Sequence, residues 1–230
     1  MGVGQMINIL YEDNHIIVVE KPVNIPVCED SSRDLDLLTI IKNYLKEKYN
    51  KPGNVYLGLI HRLDRPVGGV MVFAKTSKAA SRLSEFLRKG LFKKKYYAVL
   101  CGSLLNSGKL EDYLLKDSKT NMVKVDKTGK YACLNYKVLD VKNNMTLVDI
   151  SLQTGRSHQI RVQFASRGYP LFGDQKYNKK AIVGEQIALY SYQLTFPHPI
   201  TKENICFSLP LPKVTPFSNF NQERHLKSSL

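Results

Sequence analysis

Residues 131–152 read YACLNYKVLDV, KNN, MTLVDISL, and their pattern decides the fold. Two stretches rich in β-branched and aromatic residues flank Asn143-Asn144, a pair that tolerates the positive φ of a tight turn. An antiparallel hairpin is therefore expected. Outward on the N-terminal side, YYAVLCG (96–102) reads as a further strand. On the C-terminal side the pattern predicts a helix that starts near Ser157 and runs to about Arg167, stopped by Gly168. The strands ALYSYQLTFP (188–197) and NICFSLPLP (204–212) follow. Nearer the start, INILYEDNHIIVVEKP (7–22) predicts two short strands around Glu12-Asp13-Asn14. Leu37, Leu38, Ile41, Tyr44 and Leu45 recur at helical spacing and predict a helix over 36–49, ended by Pro52-Gly53. GVMVFAKT (69–76) is a strand, and a second helix starts at Ser77, with Gly90 at the place of a left-handed cap. Strands predominate, helices are inserted without regular βαβ alternation, and the class expected is α+β, a mixed, largely antiparallel β-sheet with flanking helices. No composition shift marks an internal boundary. Residues 1–217 are expected to form one domain and the polar residues 218–230 a tail.

The 34 lysines and arginines outnumber 20 acids, for a net charge of +14. A field of that sign attracts polyanions, nucleic acid first and an anionic membrane surface second, although plain solubility gives the same excess. No stretch approaches the ~18 apolar residues of a membrane span. The start, MGVGQMINILYEDNH, lacks the basic and apolar regions of a secretory signal, so the expected location is the cytoplasm and no membrane partner is expected. Cys28, Cys101, Cys133 and Cys206 form no CxxC pair, which leaves no zinc motif and no disulfide framework, and predicts buried, reduced thiols. A monomer is the default.

Between an apolar approach and the 69–76 strand lies His61-Arg62-Leu63-Asp64-Arg65-Pro66-Val67-Gly68-Gly69. One carboxylate stands among three potential cations, which favour its ionised form. Asp64 is thus available as nucleophile or base; a purely structural turn with a local Asp–Arg pair fits the same residues.

This stretch resembles the central HRLD motif of the RluA-type pseudouridine synthases, whose catalytic aspartate falls on Asp64. It departs at Gly68, where many members carry Ser or Thr, and at Pro66-Val67. Lys93-Lys94-Lys95-Tyr96-Tyr97-Ala98-Val99 is similar to the second motif and puts the functional tyrosine at Tyr96, with Tyr97 facing the other way on a strand. Thr154-Gly155-Arg156-Ser157-His158-Gln159-Ile160-Arg161-Val162 resembles the third motif, with Ser157 for Thr, Gln163 for the last His, and Ser157 expected as a helix cap. There the resemblance implies that Arg161 pairs with the catalytic aspartate. Lesser echoes are Glu20-Lys21-Pro22, Gly173-Asp174 and Phe196-Pro197-His198-Pro199, so the likeness covers residues 6–217.

The resemblance implies the pseudouridine synthase catalytic fold, without the small N-terminal RNA-binding domain of many members. It implies isomerisation of uridine in structured RNA, a ribosomal or transfer RNA stem-loop, with no metal and no cofactor. Asp64, Tyr96 and Arg161 would be catalytic. His61, Arg62, Arg65, Lys94, Arg156 and His158 would meet the RNA, and Arg156 and His158 also have a structural reading. The rival functions are a non-catalytic RNA-binding module and a hydrolase using Asp64. The second needs a partner acid, which the three motifs lack.

Overall fold

Apolar positions two apart build the strands and those three or four apart build the helices, in the order β1 (Asn8–Glu12), β2 (Ile16–Lys21), α1 (Leu37–Lys48), β3 (Gly58–Leu59), β4 (Gly68–Ala74), α2 (Ser77–Arg88), β5 (Lys93–Cys101), β6 (Gly108–Lys116), β7 (Val123–Val125), β8 (Lys130–Lys142), β9 (Met145–Leu152), α3 (Gln159–Ala165), β10 (Leu189–Pro197) and β11 (Asn204–Ser208). The structure, a computed structural model, describes residues 7–30 and 32–220. It resolves into two compact units, Met1–Lys93 with Gln193–Leu209, and Lys94–Tyr192 with Pro210–Leu230. Residues 221–230 of the expected tail lie outside the described residues.

In the first unit β2 lies between β1 and β4, β3 pairs with β4, and β10 pairs with β11, all antiparallel. Every residue of β4 is buried, which explains its unbroken apolar run. Helix α1 starts where Asp36 accepts a hydrogen bond from the Thr39 backbone N–H (3.0 Å), and α2 where Thr76 Oγ1 accepts from that of Ala79 (3.1 Å).

In the second unit the strand order is β5-β9-β8-β6-β7, every neighbour antiparallel. The β8–β9 hairpin turns as expected on Asn143 (φ 51°) and Asn144 (φ 54°). The α+β reading with a largely antiparallel sheet is borne out.

Three expectations need correction. Helix α3 begins at Gln159, not Ser157, and its cap residue His158 is left-handed (φ 51°) with no side-chain cap bond. The Gln159 amide takes over the work expected of Ser157: its oxygen accepts from Arg156 N (3.0 Å) and Thr154 Oγ1 (2.8 Å), and its nitrogen donates to Cys133 O (3.1 Å). The cysteines are free, but only Cys133 is buried, and Cys206 is exposed. The core also runs past residue 217, since Phe217 and Phe220 pack with Val99, Leu147 and Leu211. None of the described helices is long and apolar enough to cross a membrane.

Candidate active site

In the first unit Asp64 opens a turn in which its carbonyl accepts from Val67 N (2.9 Å). Beneath that turn lies Lys21, whose side chain is wholly buried at the end of β2. Its ammonium donates to the carbonyls of Pro22, Arg65 and Val67, each at 2.9 Å. Three donors thus meet three acceptors, two of them in the Asp64 turn. Burial lowers the Lys21 pKa to about 8; the charge on Asp64 pulls it upward and that on Arg65 pushes it down. In the sequence Lys21 stands out only as part of the Glu20-Lys21-Pro22 echo, which assigns it no role.

The neighbours of Asp64 divide. Arg62 is exposed. Arg65 is tied to the preceding loop, donating to Asn24 O (3.2 Å) and Ser32 Oγ (2.9 Å) and pairing with Asp34. His61 is buried at 8% exposure, accepts from Val72 N (3.3 Å) and meets Phe92 edge-on. Its ring is built into the core rather than presented at a surface.

In the second unit Tyr96 is buried on β5 opposite Ile150, and Tyr97 stands opposite Asp149. Alternation sends the two rings to opposite faces, as expected. Tyr97 stacks on Tyr192 at 3.8 Å, and Tyr192 donates to Asp149 Oδ1 (3.0 Å), so Tyr97 is spent on packing. Lys94 is half-buried, and burial lowers its pKa to about 8.

Arg161 projects from α3 and is 5% exposed. Its Nε and Nη2 donate to the two oxygens of Asp174 (2.9 and 2.6 Å), a two-pronged pair with a carboxylate that is fully buried. Gly173 sets the direction of that carboxylate: its φ is 68°, and a Cβ there would lie 2.3 Å from Gln186 O. The Arg161 guanidinium sits 5.3 Å from the centre of the Tyr177 ring. The Tyr177 hydroxyl accepts from Val123 N (2.9 Å) and lies 2.7 Å from His158 Nδ1. Asp174 and Tyr177 were missed as functional positions. The signal available was the Gly173-Asp174 pair a short way past the third motif.

The structure thus gathers Arg161, His158, Asp174 and Tyr177 into one cluster of the second unit, and Asp64, Arg65 and Lys21 into one of the first. Arg156 is exposed, its Nε donating to Tyr131 O (2.8 Å). Among the described residues no group of three or more His, Cys, Asp or Glu side chains is placed to hold a metal. Tyr177→Phe is expected to cost about 1–2 kcal/mol in urea unfolding, because Val123 N–H and His158 lose that hydroxyl. An unchanged unfolding midpoint would show that it holds neither in place.

Residues 15–166 match the family model described as RNA pseudouridylate synthase. The chain belongs to that family. It is an RNA pseudouridine synthase, an enzyme that isomerises uridine in RNA. This synthase is 35% identical to the uncharacterized RNA pseudouridine synthase YjbO of Bacillus subtilis, over 90% of the chain and 73% of that protein. It is 32% identical to ribosomal large subunit pseudouridine synthase D of Vibrio cholerae, over 90% and 68%. Among solved structures it is similar in fold to human RNA pseudouridylate synthase domain containing 4, with a TM-score of 0.77 and 23% identity over 92% of this chain and 91% of that one. That likeness bears out the α+β synthase fold.

Proposed function

We propose that this synthase modifies a uridine in a stem-loop of ribosomal or transfer RNA, with Asp64, Tyr96 and Arg161 as its catalytic groups and without a cofactor. The observation that carries the assignment of Asp64 is the Lys21 latch, which anchors the carbonyls of Arg65 and Val67 beside it. A reacting group must be held to within ~0.5 Å, and such a latch does this for the turn. The net charge of +14 and the ribosomal names of relatives support RNA of that kind.

The target nucleotide is flipped out of its stack, at a cost of a few kcal/mol offset by phosphate contacts. Asp64 then attacks the sugar or removes a proton from it, and the N1–C1′ bond breaks. The freed uracil turns and C5 bonds to C1′, as the Asp64–sugar bond breaks or the sugar regains the proton Asp64 removed; the C5 proton leaves and N1 gains a proton, so atoms and charge balance. Tyr96 gives the ring a face to stack on and takes part in removing the C5 proton. Arg161 supplies the positive charge set against the catalytic carboxylate, and Asp174 keeps its guanidinium in one plane. Arg62, Arg65, Lys94, Arg156 and His158 are the proposed RNA contacts. The enzyme works as a cytoplasmic monomer, and both units belong to one catalytic domain.

The test is tritium release from RNA carrying [5-³H]uridine, isolated from cells lacking the gene. Wild-type protein is expected to release tritium, and Tyr96→Phe to release it about 10²-fold more slowly with RNA affinity nearly kept. Tight binding with no release by wild type would favour the non-catalytic reading, and Tyr96→Phe at the wild-type rate would remove Tyr96 from the chemistry.

A further inference from the structure

A groove of about 440 Å³ opens in the second unit between the ends of β6 and β8, strand β7 and the turn before α3. That volume lies in the range of small-ligand sites, ~300–1,000 Å³. Lys116, Lys130 and Arg156 bring positive charge to it, and Thr128 and Ser157 bring hydroxyls. No carboxylate and no aromatic ring is among its lining residues. All five of these polar side chains belong to exposed residues. Among the described residues neither Lys116 nor Lys130 enters an ion pair, whereas the acids nearest them in sequence are engaged elsewhere: Asp117 is bonded to Lys119 N (2.8 Å) and Thr120 Oγ1 (2.8 Å), and Asp126 is bonded to Thr128 N (3.0 Å) and Thr128 Oγ1 (2.7 Å) and paired with Lys124 (2.8 Å).

The walls are firm. A Cβ on Gly129 would lie 2.3 Å from the carbonyl carbon of Leu114, so only glycine lets the two backbones close this end of the groove. Strand β7 pairs with β6 from Leu114↔Val125 to Lys116↔Val123, and Val123 N–H is held by the Tyr177 hydroxyl. Through Tyr177 the β7 wall is fastened to His158 and Arg161.

We propose that this groove is a phosphodiester seat, which grips the backbone of the substrate RNA through Lys116, Lys130 and Arg156. The proposal rests on the reading of RNA as substrate. Cations and hydroxyls without a carboxylate select an anion with several acceptor oxygens. The lack of an aromatic ring leaves nothing for a base to stack on, so the groove contacts backbone and carries no sequence information. Phosphate bound there presses on the wall that Tyr177 ties to Arg161, which joins strand capture to the catalytic cluster of the same unit.

The probes are a fluorescein-labelled oligouridylate of about 20 nucleotides and a labelled stem-loop with uridines in its loop, titrated with full-length protein over a range of KCl. Lys116→Ala/Lys130→Ala is expected to raise Kd roughly tenfold near 0.1 M salt and to flatten the slope of log Kd against log salt by about 2, one for each lost phosphate contact. Lys46→Ala/Lys78→Ala, which removes the same charge from exposed positions on α1 and α2, should stay within about twofold of wild type. Lys116→Arg/Lys130→Arg should keep wild-type affinity. Equal losses in the groove variant and the control would reduce the effect to bulk charge and overturn the assignment. Inorganic phosphate at constant ionic strength should compete no better than chloride. Competition that disappears in the groove variant would give the groove to free phosphate and overturn the RNA assignment. Failure of wild-type protein to bind either RNA would strike the RNA reading itself, an outcome separable from a groove variant that binds like wild type.

Discussion

Asp64→Asn is expected to slow pseudouridine formation about 10⁴-fold while leaving the protein folded. The amide matches the carboxylate in size but has neither the negative charge of a nucleophile nor the basicity to take a proton, so both versions of the chemistry fail with it. The fold should survive because this turn is held by backbone groups: Asp64 O accepts from Val67 N, and Lys21 grips the carbonyls of Arg65 and Val67. A side effect has a definite sign. The Asp64 charge raises the pKa of the buried Lys21, so its loss lowers that pKa further below about 8. Tritium release measures the first effect and urea unfolding the second, where a change under about 1 kcal/mol is expected. An Asp64→Asn variant working at a comparable rate would end the case for this carboxylate.

Asp174→Ala is expected to destabilise the second unit by about 3–5 kcal/mol. The fully buried carboxylate takes hydrogen bonds from both Nε and Nη2 of Arg161 and further ones from Lys176 N (3.1 Å) and Tyr177 N (3.3 Å). Its removal strips a buried guanidinium of a two-pronged partner and loosens the turn that aims Tyr177. The double variant Asp174→Ala/Arg161→Met should recover a large part of the loss, because the buried charge goes with its partner. If the single variant does not fold, the comparison of Asp174→Asn with Asp174→Asn/Arg161→Met gives the same coupling. A loss below about 1 kcal/mol in Asp174→Ala, with no coupling to Arg161, would show that the pair does not hold this region together.

Legibility followed a physical line. Helices α1 and α2 and the β8–β9 hairpin could be read because side chains near in sequence specify them: Asp36 and Thr76 as caps, and two asparagines in a turn. Strands β6 and β7 escaped notice. In β6 only Leu110 and Leu114 are buried, four apart in a charged stretch, which is no strand pattern. The start of α3 was misjudged because its capping bonds come from the Gln159 amide, which the serine rule does not anticipate. Among the candidate residues, Asp64, Tyr96 and Arg161 stood out by motif. Their supports did not: Lys21 is bonded to backbone carbonyls 44 and 46 residues away, and no side-chain pattern encodes a carbonyl. The partners of Arg65 were within reach, since Asp30 and Asp34 stand in an acidic stretch that could have been read as local competition for that arginine.

The Lys21 latch has a consequence for what this position tolerates. Three hydrogens arranged around one nitrogen, pointing to three corners of a pyramid, match three oxygens. Arginine offers a flat fan of hydrogens and would reach two of those oxygens at best. A methylated amine keeps its charge but surrenders a prong with each methyl, and an acetylated one retains a single N–H. Because no part of this side chain meets solvent, any such change would have to precede folding. The stem of the loop beside Asp64 is therefore a mould cut for one amino acid in one chemical form.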